Sequence, residues 1–334
     1  MKLNLNLDSS KYIFMTTSVD KSSSVLIKEY AAEVGFDLCG ITRARSLDEH
    51  RPILTKWAYA GMNGDMAYLG HNIEKRTDPR ILVPGAKSII VTGLNYYSEK
   101  KQGGNGVPVI SRYAYGVNYH DIIRGKLNKI SDFIKRIYPE AFVRSYVDSA
   151  PLLEKAWGRE AGLGWPGKHS LLINREIGSF FFLGVIVVNI DLEYDQPTEE
   201  DNCGTCKLCI DSCPTTAINN NRTIDTRKCI AFLTLESKSL IPDDLVSKLE
   251  GRAFGCDKCQ EVCPWNKSAM PHKTPEFELP AEVRLMTAED WKNLSRKDYK
   301  RLFKTSAIGR RTYCRFMDNI VAASASVSAP VSES

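Results

Sequence analysis

The sequence has 334 residues, of which 43% are hydrophobic and 25% are charged, and its formal net charge is +5. This composition excludes a collagen-like, fibrous or wholly disordered chain and is typical of a globular enzyme. The longest apolar stretch, residues 180–190, is about half as long as the ~20 residues that a membrane-spanning helix needs. The first 24 residues are polar and contain no secretory core. We therefore expect a cytoplasmic protein with no membrane partner.

Alternating helices and strands are predicted along the first 200 residues. Residues 1–24 are interpreted as a flexible leader. The pattern of apolar residues then predicts, in chain order, a helix over 25–35, buried strands over 36–41 and 88–94, a helix over 120–138, a strand over 142–147, a helix over 152–161 and a strand over 180–190. Strands that alternate with helices indicate an α/β or α+β domain over residues 25–197.

The cysteines are the most informative feature of the sequence. Eight of the ten lie between Cys203 and Cys263. In a cytoplasmic chain, clustered cysteines bind metal more often than they form disulfides. The run over 203–214 has the spacing C-x2-C-x2-C-x3-C-P of bacterial ferredoxins, and the run over 256–264 ends in the same way but has Ala253 in place of its first cysteine. This pattern predicts a ferredoxin-like domain with two [4Fe–4S] clusters over residues 198–275.

In two-cluster ferredoxins the fourth cysteine of each run binds the other cluster, and this exchange divides the ligands. The first cluster is expected to bind Cys203, Cys206, Cys209 and Cys263. The second is expected to bind Cys213, Cys256, Cys259 and, as the best candidate lying between the two runs, Cys229. The alternatives are a zinc site, which would favour paired C-x2-C motifs, and a disulfide scaffold. Cys39 and Cys314 are interpreted as structural.

The C-terminal part of the sequence is basic. Nine Lys and Arg residues lie between Trp291 and Arg315, against the single acid Asp298. We predict a basic helical segment over 276–320. Its charges either attract nucleic-acid phosphates or form a solvated helix face. Its interleaved aromatic residues either stack on nucleic-acid bases or pack in the protein. The Ser- and Ala-rich residues 321–334 are predicted to be disordered. Neither a dinucleotide-binding fingerprint nor a P-loop is present, so a Rossmann unit is not expected.

Four further stretches carry a resemblance to a known family: SRYAYGVNYH over 111–120, VDSAPLLE over 147–154, AGLGWPGKHSLL over 161–172 and GCDKCQEVCPWN over 255–266. Together with the cysteine runs, they resemble the epoxyqueuosine reductases over about residues 25–320. That family is cobalamin-dependent and is related to the reductive dehalogenases. The resemblance implies a flavin-reductase-like α/β core that binds cobalamin, with two [4Fe–4S] clusters that pass electrons to it.

The resemblance also implies a reaction and its site. The protein is expected to reduce epoxyqueuosine to queuosine at the wobble position of the tRNA anticodon, as a monomer that takes electrons from an external low-potential donor. Asp148 corresponds to the family's proton donor and would need a pKa raised by burial, unless it merely caps a helix. The expected cobalamin contacts are His71, Ser111, Asp148, Lys168, His169, Ser170 and Leu172.

Other functions remain open from the sequence. One is another corrinoid iron–sulfur reductase of the dehalogenase type, which needs no contact with tRNA. A second is a two-cluster electron carrier without catalysis of its own, which would hold no corrin. A third is a zinc-dependent nucleic-acid binding module, which would lack the visible absorption of iron–sulfur clusters.

Overall fold

A computed structural model describes residues 22–102, 104 and 106–328 of the chain; most of the predicted leader and residues 329–334 lie outside the described residues. The helices are α1 (Ser23–Val34), α2 (Arg51–Tyr59), α3 (Ile73–Thr77), α4 (Pro79–Leu82), α5 (Tyr119–Ile137), α6 (Glu154–Glu160), α7 (Leu208–Asp211), α8 (Ile230–Leu235), α9 (Asp243–Val246), α10 (Lys258–Glu261), α11 (Ala281–Arg284), α12 (Ala288–Lys292), α13 (Arg296–Phe303) and α14 (Tyr313–Ser328). The strands are β1 (Leu38–Arg43), β2 (Ser88–Asn95), β3 (Val109–Ile110), β4 (Val143–Tyr146), β5 (Trp165–Pro166), β6 (Leu172–Ile173), β7 (Phe181–Val188) and β8 (Arg252–Phe254).

The central sheet has the strand order β1-β2-β7-β4 in the described part of the chain, and every neighbouring pair is antiparallel. Strand β2 is buried along its whole length, because α1 and α5 pack on one face of the sheet and α6 packs on the other. Ile27 of α1 and Leu127 of α5 lie in the first of these cores, and Trp157 of α6 lies in the second. The mixed α/β class is therefore confirmed, in its α+β form.

The predicted helices and strands of this domain are confirmed, with ends that shift by at most two residues. The strands β2 and β7 are continuous apolar runs because both faces of the sheet are covered, and the helices show an apolar face because one side of each packs on the sheet. Helix α1 stops where expected: Gly35 has a φ of +93°, a left-handed conformation that glycine adopts without a steric penalty.

The C-terminus departs from the sequence prediction. Helix α14 runs through to Ser328, so residues 321–328 are helical, and the prediction of disorder from residue 321 is wrong for this part. Ile320 and Ala323 are fully buried, in a core shared with Phe254 of β8. Alanine is the strongest helix former, and packing one face of α14 stabilises a stretch whose composition alone resembles a linker. Across the described ranges, no helix is both long and apolar enough to cross a membrane.

Gly40 of β1 offers a test of the packing between the sheet and α6. A Cβ at this position would lie 2.0 Å from the backbone oxygen of Ala161, which directly follows α6. Gly40→Ala is expected to lower the free energy of unfolding by about 1–3 kcal/mol, because a backbone atom cannot move aside as a side chain can. Gly125→Ala in α5 is the matched control: its Cβ would meet nothing within 4 Å. Thermal unfolding of both variants measures the difference, and equal Tm values would contradict this packing.

Candidate active site

The first predicted cysteine set lies around one cavity. Cys203, Cys206, Cys209 and Cys263 line a space of about 280 Å³, which we call the first cysteine cavity. A tight turn, in which Cys206 N–H donates to Cys203 O at 3.0 Å, bends the first run around this space. Burial and the charges of the other three thiols raise the pKa of Cys209 to about 11. A shared cationic centre would offset this repulsion, so that all four side chains could bind it as thiolates.

The second predicted set lines a neighbouring space of about 300 Å³, the second cysteine cavity. Its thiols are those of Cys213, Cys229, Cys256 and Cys259. Burial raises the pKa of Cys256 to about 12, and the Cys229 charge adds to this effect. Cys229 directly precedes α8, which brings it back towards the second run. Ala253, at the position of the missing cysteine, is instead fully buried in β8.

The shape of both sites suits a multi-atom cluster. In the part of the chain that the structure describes, no three His, Cys, Asp or Glu side chains converge as ligands of a single metal ion would. Each thiol set instead surrounds a cavity, whereas a zinc ion holds its sulfur ligands at about 2.3 Å around one point. Of the remaining cysteines, Cys39 is partly buried, and burial raises its pKa to about 12, whereas Cys314 is exposed.

A larger cleft of about 660 Å³ lies beside the second cysteine cavity. His71, Asp148, Ser170 and Arg222 are among the residues that line it. Lys155 lines the cleft, the second cysteine cavity and a smaller pocket of about 210 Å³, which contains Tyr96, Tyr113 and Tyr119 and which we call the tyrosine pocket. The second cysteine cavity therefore adjoins both spaces in which a substrate or organic cofactor could bind.

Asp148 stands on the wall between the cleft and the tyrosine pocket. It follows β4 and has a φ of +53°. Its Oδ2 accepts a hydrogen bond from Tyr119 Oη at 2.7 Å and lies 3.7 Å from His120 Nε2. Its side chain is 58% exposed, which differs from the burial expected from its apolar neighbours. The reason is that Val147 and Leu152 point into the core and leave the loop between them at the surface.

Asp148 is also not a helix cap. Helix α6 begins at Glu154, and Leu153 occupies the capping position. Instead, the backbone N–H of Asp148 donates to Glu154 Oε1 at 2.7 Å. The alternative interpretation of Asp148 as an N-cap is therefore wrong.

The groups around Asp148 are held in their neutral forms. Burial is the main cause that raises the pKa of the Tyr119 phenol, and the Asp148 charge adds to it. Burial lowers the pKa of His120, although the charge of Asp148 opposes this effect. Burial and the Asp148 charge raise the pKa of Glu154 to about 8. At neutral pH Asp148 therefore faces a phenol, an imidazole and a largely protonated carboxyl group.

The predicted cobalamin contacts do not all lie at the cleft. His71 and Ser170 line it, Ser111 lines the second cysteine cavity and Leu172 lines the tyrosine pocket. Lys168 lies at the first cysteine cavity, where its Nζ donates to Gly204 O at 2.6 Å and to Cys206 O at 2.8 Å. This differs from the predicted contact, because the long side chain reaches across to the ferredoxin-like loop instead.

His169 lies between the two cysteine cavities. It lines both cysteine cavities and is only 4% exposed. Its Nδ1 accepts a hydrogen bond from Leu171 N at 3.2 Å, and burial lowers its pKa to about 4. The imidazole is therefore neutral and carries its proton on Nε2, which has no hydrogen-bond partner among the described residues.

Sequence reasoning missed several residues of the site, namely Tyr119, Glu154, Lys155 and Arg222. Tyr119 and Glu154 fall inside two of the stretches that carry the family resemblance, so those motifs held a signal for them. Lys155 and Arg222 gave none, because their position depends on how α6 and the ferredoxin-like domain meet.

Two four-thiol cavities, the second of which adjoins a larger cleft, define a two-cluster iron–sulfur protein. Residues 202–266 match the family model described as a 4Fe-4S double cluster binding domain, and residues 76–149 match the model described as Epoxyqueuosine reductase QueG, DUF1730. The chain is 45% identical over 297 residues to the epoxyqueuosine reductase of Cellulophaga algicola, covering 89% of this chain and 96% of that one. It belongs to the epoxyqueuosine reductase family, as the sequence motifs predicted.

Two solved structures are also similar to the chain. One is a crystal structure of an epoxyqueuosine reductase with an epoxyqueuosine-modified tRNA-Tyr stem loop, at 32% identity and a TM-score of 0.84. The other is an epoxyqueuosine reductase from Bacillus subtilis whose aspartate catalytic loop is swung out of the active site, at 31% identity and a TM-score of 0.82. Each comparison covers 91% of this chain and 81% of the other.

Proposed function

We propose that the protein reduces epoxyqueuosine to queuosine in the anticodon loop of tRNA, the final step of queuosine biosynthesis, in the cytoplasm. Membership of the epoxyqueuosine reductase family supports this function. The observation that carries it is the placement of Asp148 on a cleft that adjoins a four-thiol cavity. An enzyme that reduces an epoxide needs a source of electrons and a source of protons close to the same binding site.

The two cysteine sets would hold the two [4Fe–4S] clusters. Thiolates are the usual ligands of such clusters, and each cavity provides four. An external low-potential donor would deliver electrons at the first cysteine cavity, whose loop exposes Lys207 and Leu208. The second cysteine cavity would pass them on, because it is the one that adjoins the cleft.

The cleft, in a core that we interpret as flavin-reductase-like, would hold cobalamin. The cleft, the tyrosine pocket and the second cysteine cavity meet at Lys155, so together they offer a broad space for a flat macrocycle. His71, Ser170 and Arg222 provide polar groups on the wall of the cleft for the side chains of such a ligand. When bound, cobalamin supplies the reducing metal centre at which the epoxide is opened.

Asp148 would donate the proton to the oxygen that leaves the epoxide carbon. Protonation at this point neutralises the alkoxide charge that develops as the C–O bond breaks. Tyr119 and His120 both approach Oδ2 and thereby orient the carboxyl group, which leaves Oδ1 for the substrate. The neutral His120 and Tyr119 place no competing charge beside the proton in transit.

The basic C-terminal segment borders this site and would contact the tRNA. The N–H of Asn118 donates to Thr305 O at 2.7 Å, which attaches the segment to the start of α5 beside Tyr119. Arg310 follows Thr305 by a few residues, and its positive charge works to lower the pKa of both Tyr119 and His120. The interleaved Tyr299, Phe303 and Phe316 are buried and pack in the core, so the basic side chains rather than these rings would meet the nucleic acid.

Arg310→Gln should therefore weaken substrate binding. We expect KM for the modified tRNA to rise by about 3- to 10-fold with little change in kcat, and the dependence of binding on salt to weaken by about one phosphate contact. Lys135→Gln, on the exposed face of α5, removes the same charge at another place and should leave KM unchanged. An equal effect of both substitutions would indicate that Arg310 contributes only net charge.

Anaerobic reconstitution tests the proposed function itself. The protein is loaded with iron, sulfide and cobalamin and is given a reductant and tRNA that contains epoxyqueuosine. Nucleosides from the digested tRNA are then separated and identified by mass spectrometry. Conversion to queuosine is the expected result, and fully loaded protein that leaves epoxyqueuosine unchanged would contradict it.

A further inference from the structure

The loop that carries Asp148 has an unusual backbone conformation. Asp148 has a φ of +53°, in the left-handed region that residues other than glycine seldom adopt. Aspartate tolerates this region better than most residues, but such a conformation persists only where the surroundings fix it. Asp148 and Ser149 are both exposed, so core packing does not fix it.

One side chain on a rigid element contacts this backbone. The N–H of Asp148 donates to Glu154 Oε1 at 2.7 Å. Glu154 is the first residue of α6, and α6 is anchored in the core by Trp157, which is fully buried. Among the described residues, Glu154 takes part in no ion pair, so its carboxyl group is not engaged by a salt bridge elsewhere.

We propose that Glu154 is a positioning residue that holds the Asp148 loop in its reactive conformation. This inference rests on the proposed function, in which Asp148 is the proton donor. Glu154 fixes the backbone N–H and Tyr119 fixes Oδ2, so the two contacts together define the direction of the carboxyl group. Without the acceptor oxygen of Glu154, the loop can relax to an ordinary backbone conformation and withdraw Asp148 from Tyr119.

Two substitutions separate positioning from other roles. Glu154→Leu removes the acceptor, whereas Glu154→Gln keeps an Oε1 that can accept the same hydrogen bond. In the intact, cluster-loaded protein, hydrogen–deuterium exchange of the amides at 148–150 is measured together with the kinetics of tRNA conversion. We expect Glu154→Leu to speed this exchange by about tenfold and to lower kcat by at least about tenfold, with KM nearly unchanged. Glu154→Gln should restore most of both properties.

Each other outcome has a defined meaning. Unchanged exchange in Glu154→Leu would overturn the proposal, whatever happens to the rate. A Glu154→Gln variant with normal exchange but the low kcat of Glu154→Leu would also overturn it, since an ionisable proton would then be needed. If Asp148→Asn is fully active, the proposed role of Asp148 fails, but the exchange measurement still reports whether Glu154 holds the loop.

Discussion

Asp148→Asn is expected to lower kcat for epoxide reduction by about 10²- to 10⁴-fold, the usual contribution of a positioned general acid. Asparagine has nearly the same shape, tolerates the left-handed backbone and can still accept the hydrogen bond from Tyr119. What it lacks is a proton that it can donate to the leaving oxygen. Single-turnover conversion of modified tRNA, with prereduced protein, measures this step directly.

Two controls make that result specific. The variant should retain the iron content, the thermal stability and the tRNA affinity of the original protein, because Asp148 is exposed and lies outside both cysteine sets. A variant that keeps the original rate would exclude Asp148 as the proton donor. Glu154, whose pKa of about 8 makes it a largely protonated carboxyl at neutral pH, would then be the next acid to test.

Cys229→Ser is expected to abolish turnover and to remove one of the two clusters. Iron should fall from about eight to about four atoms per chain, because a [4Fe–4S] cluster needs all four thiolates. Cys229 lies outside both ferredoxin motifs, yet it lines the same cavity as Cys213, Cys256 and Cys259. Iron and sulfide analysis, with electron paramagnetic resonance of the reduced protein, distinguishes one cluster from two.

Two companion variants calibrate this experiment. Cys259→Ser replaces a cysteine of the second motif and should give the same loss. Cys314→Ser replaces an exposed cysteine outside both cavities and should leave iron and activity unchanged. If Cys229→Ser keeps about eight irons while Cys259→Ser does not, the eighth ligand lies elsewhere.

The sequence predicted those features that local pattern determines. The apolar pattern placed β2 and α5 correctly, because β2 is a continuous run that is buried at every position and the buried positions of α5 recur at the helical period. Cysteine spacing predicted which thiols share a cavity, since a run with two intervening residues has little freedom in how it folds. The left-handed Gly35 that ends α1 was also visible from residue type alone.

Features that depend on contacts between distant elements were not predictable. The helix over 321–328 is stable because Ala323 packs into a core that includes Phe254, about seventy residues earlier in the chain. Lys168 donates hydrogen bonds to the loop of the first cysteine run rather than lining the cleft. The exposure of Asp148 and its bond to Glu154 follow from the turn between β4 and α6, for which the sequence gives no periodic signal.

The metal content of the reconstituted protein tests most directly whether this fold holds two clusters and a corrin together. The protein is purified anaerobically, incubated with iron, sulfide and cobalamin, freed of unbound material and analysed for iron, sulfide and cobalt. We predict about eight irons, about eight sulfides and about one cobalt per chain. Protein that holds zinc in place of iron, or that retains its iron but binds no cobalt, would contradict this arrangement.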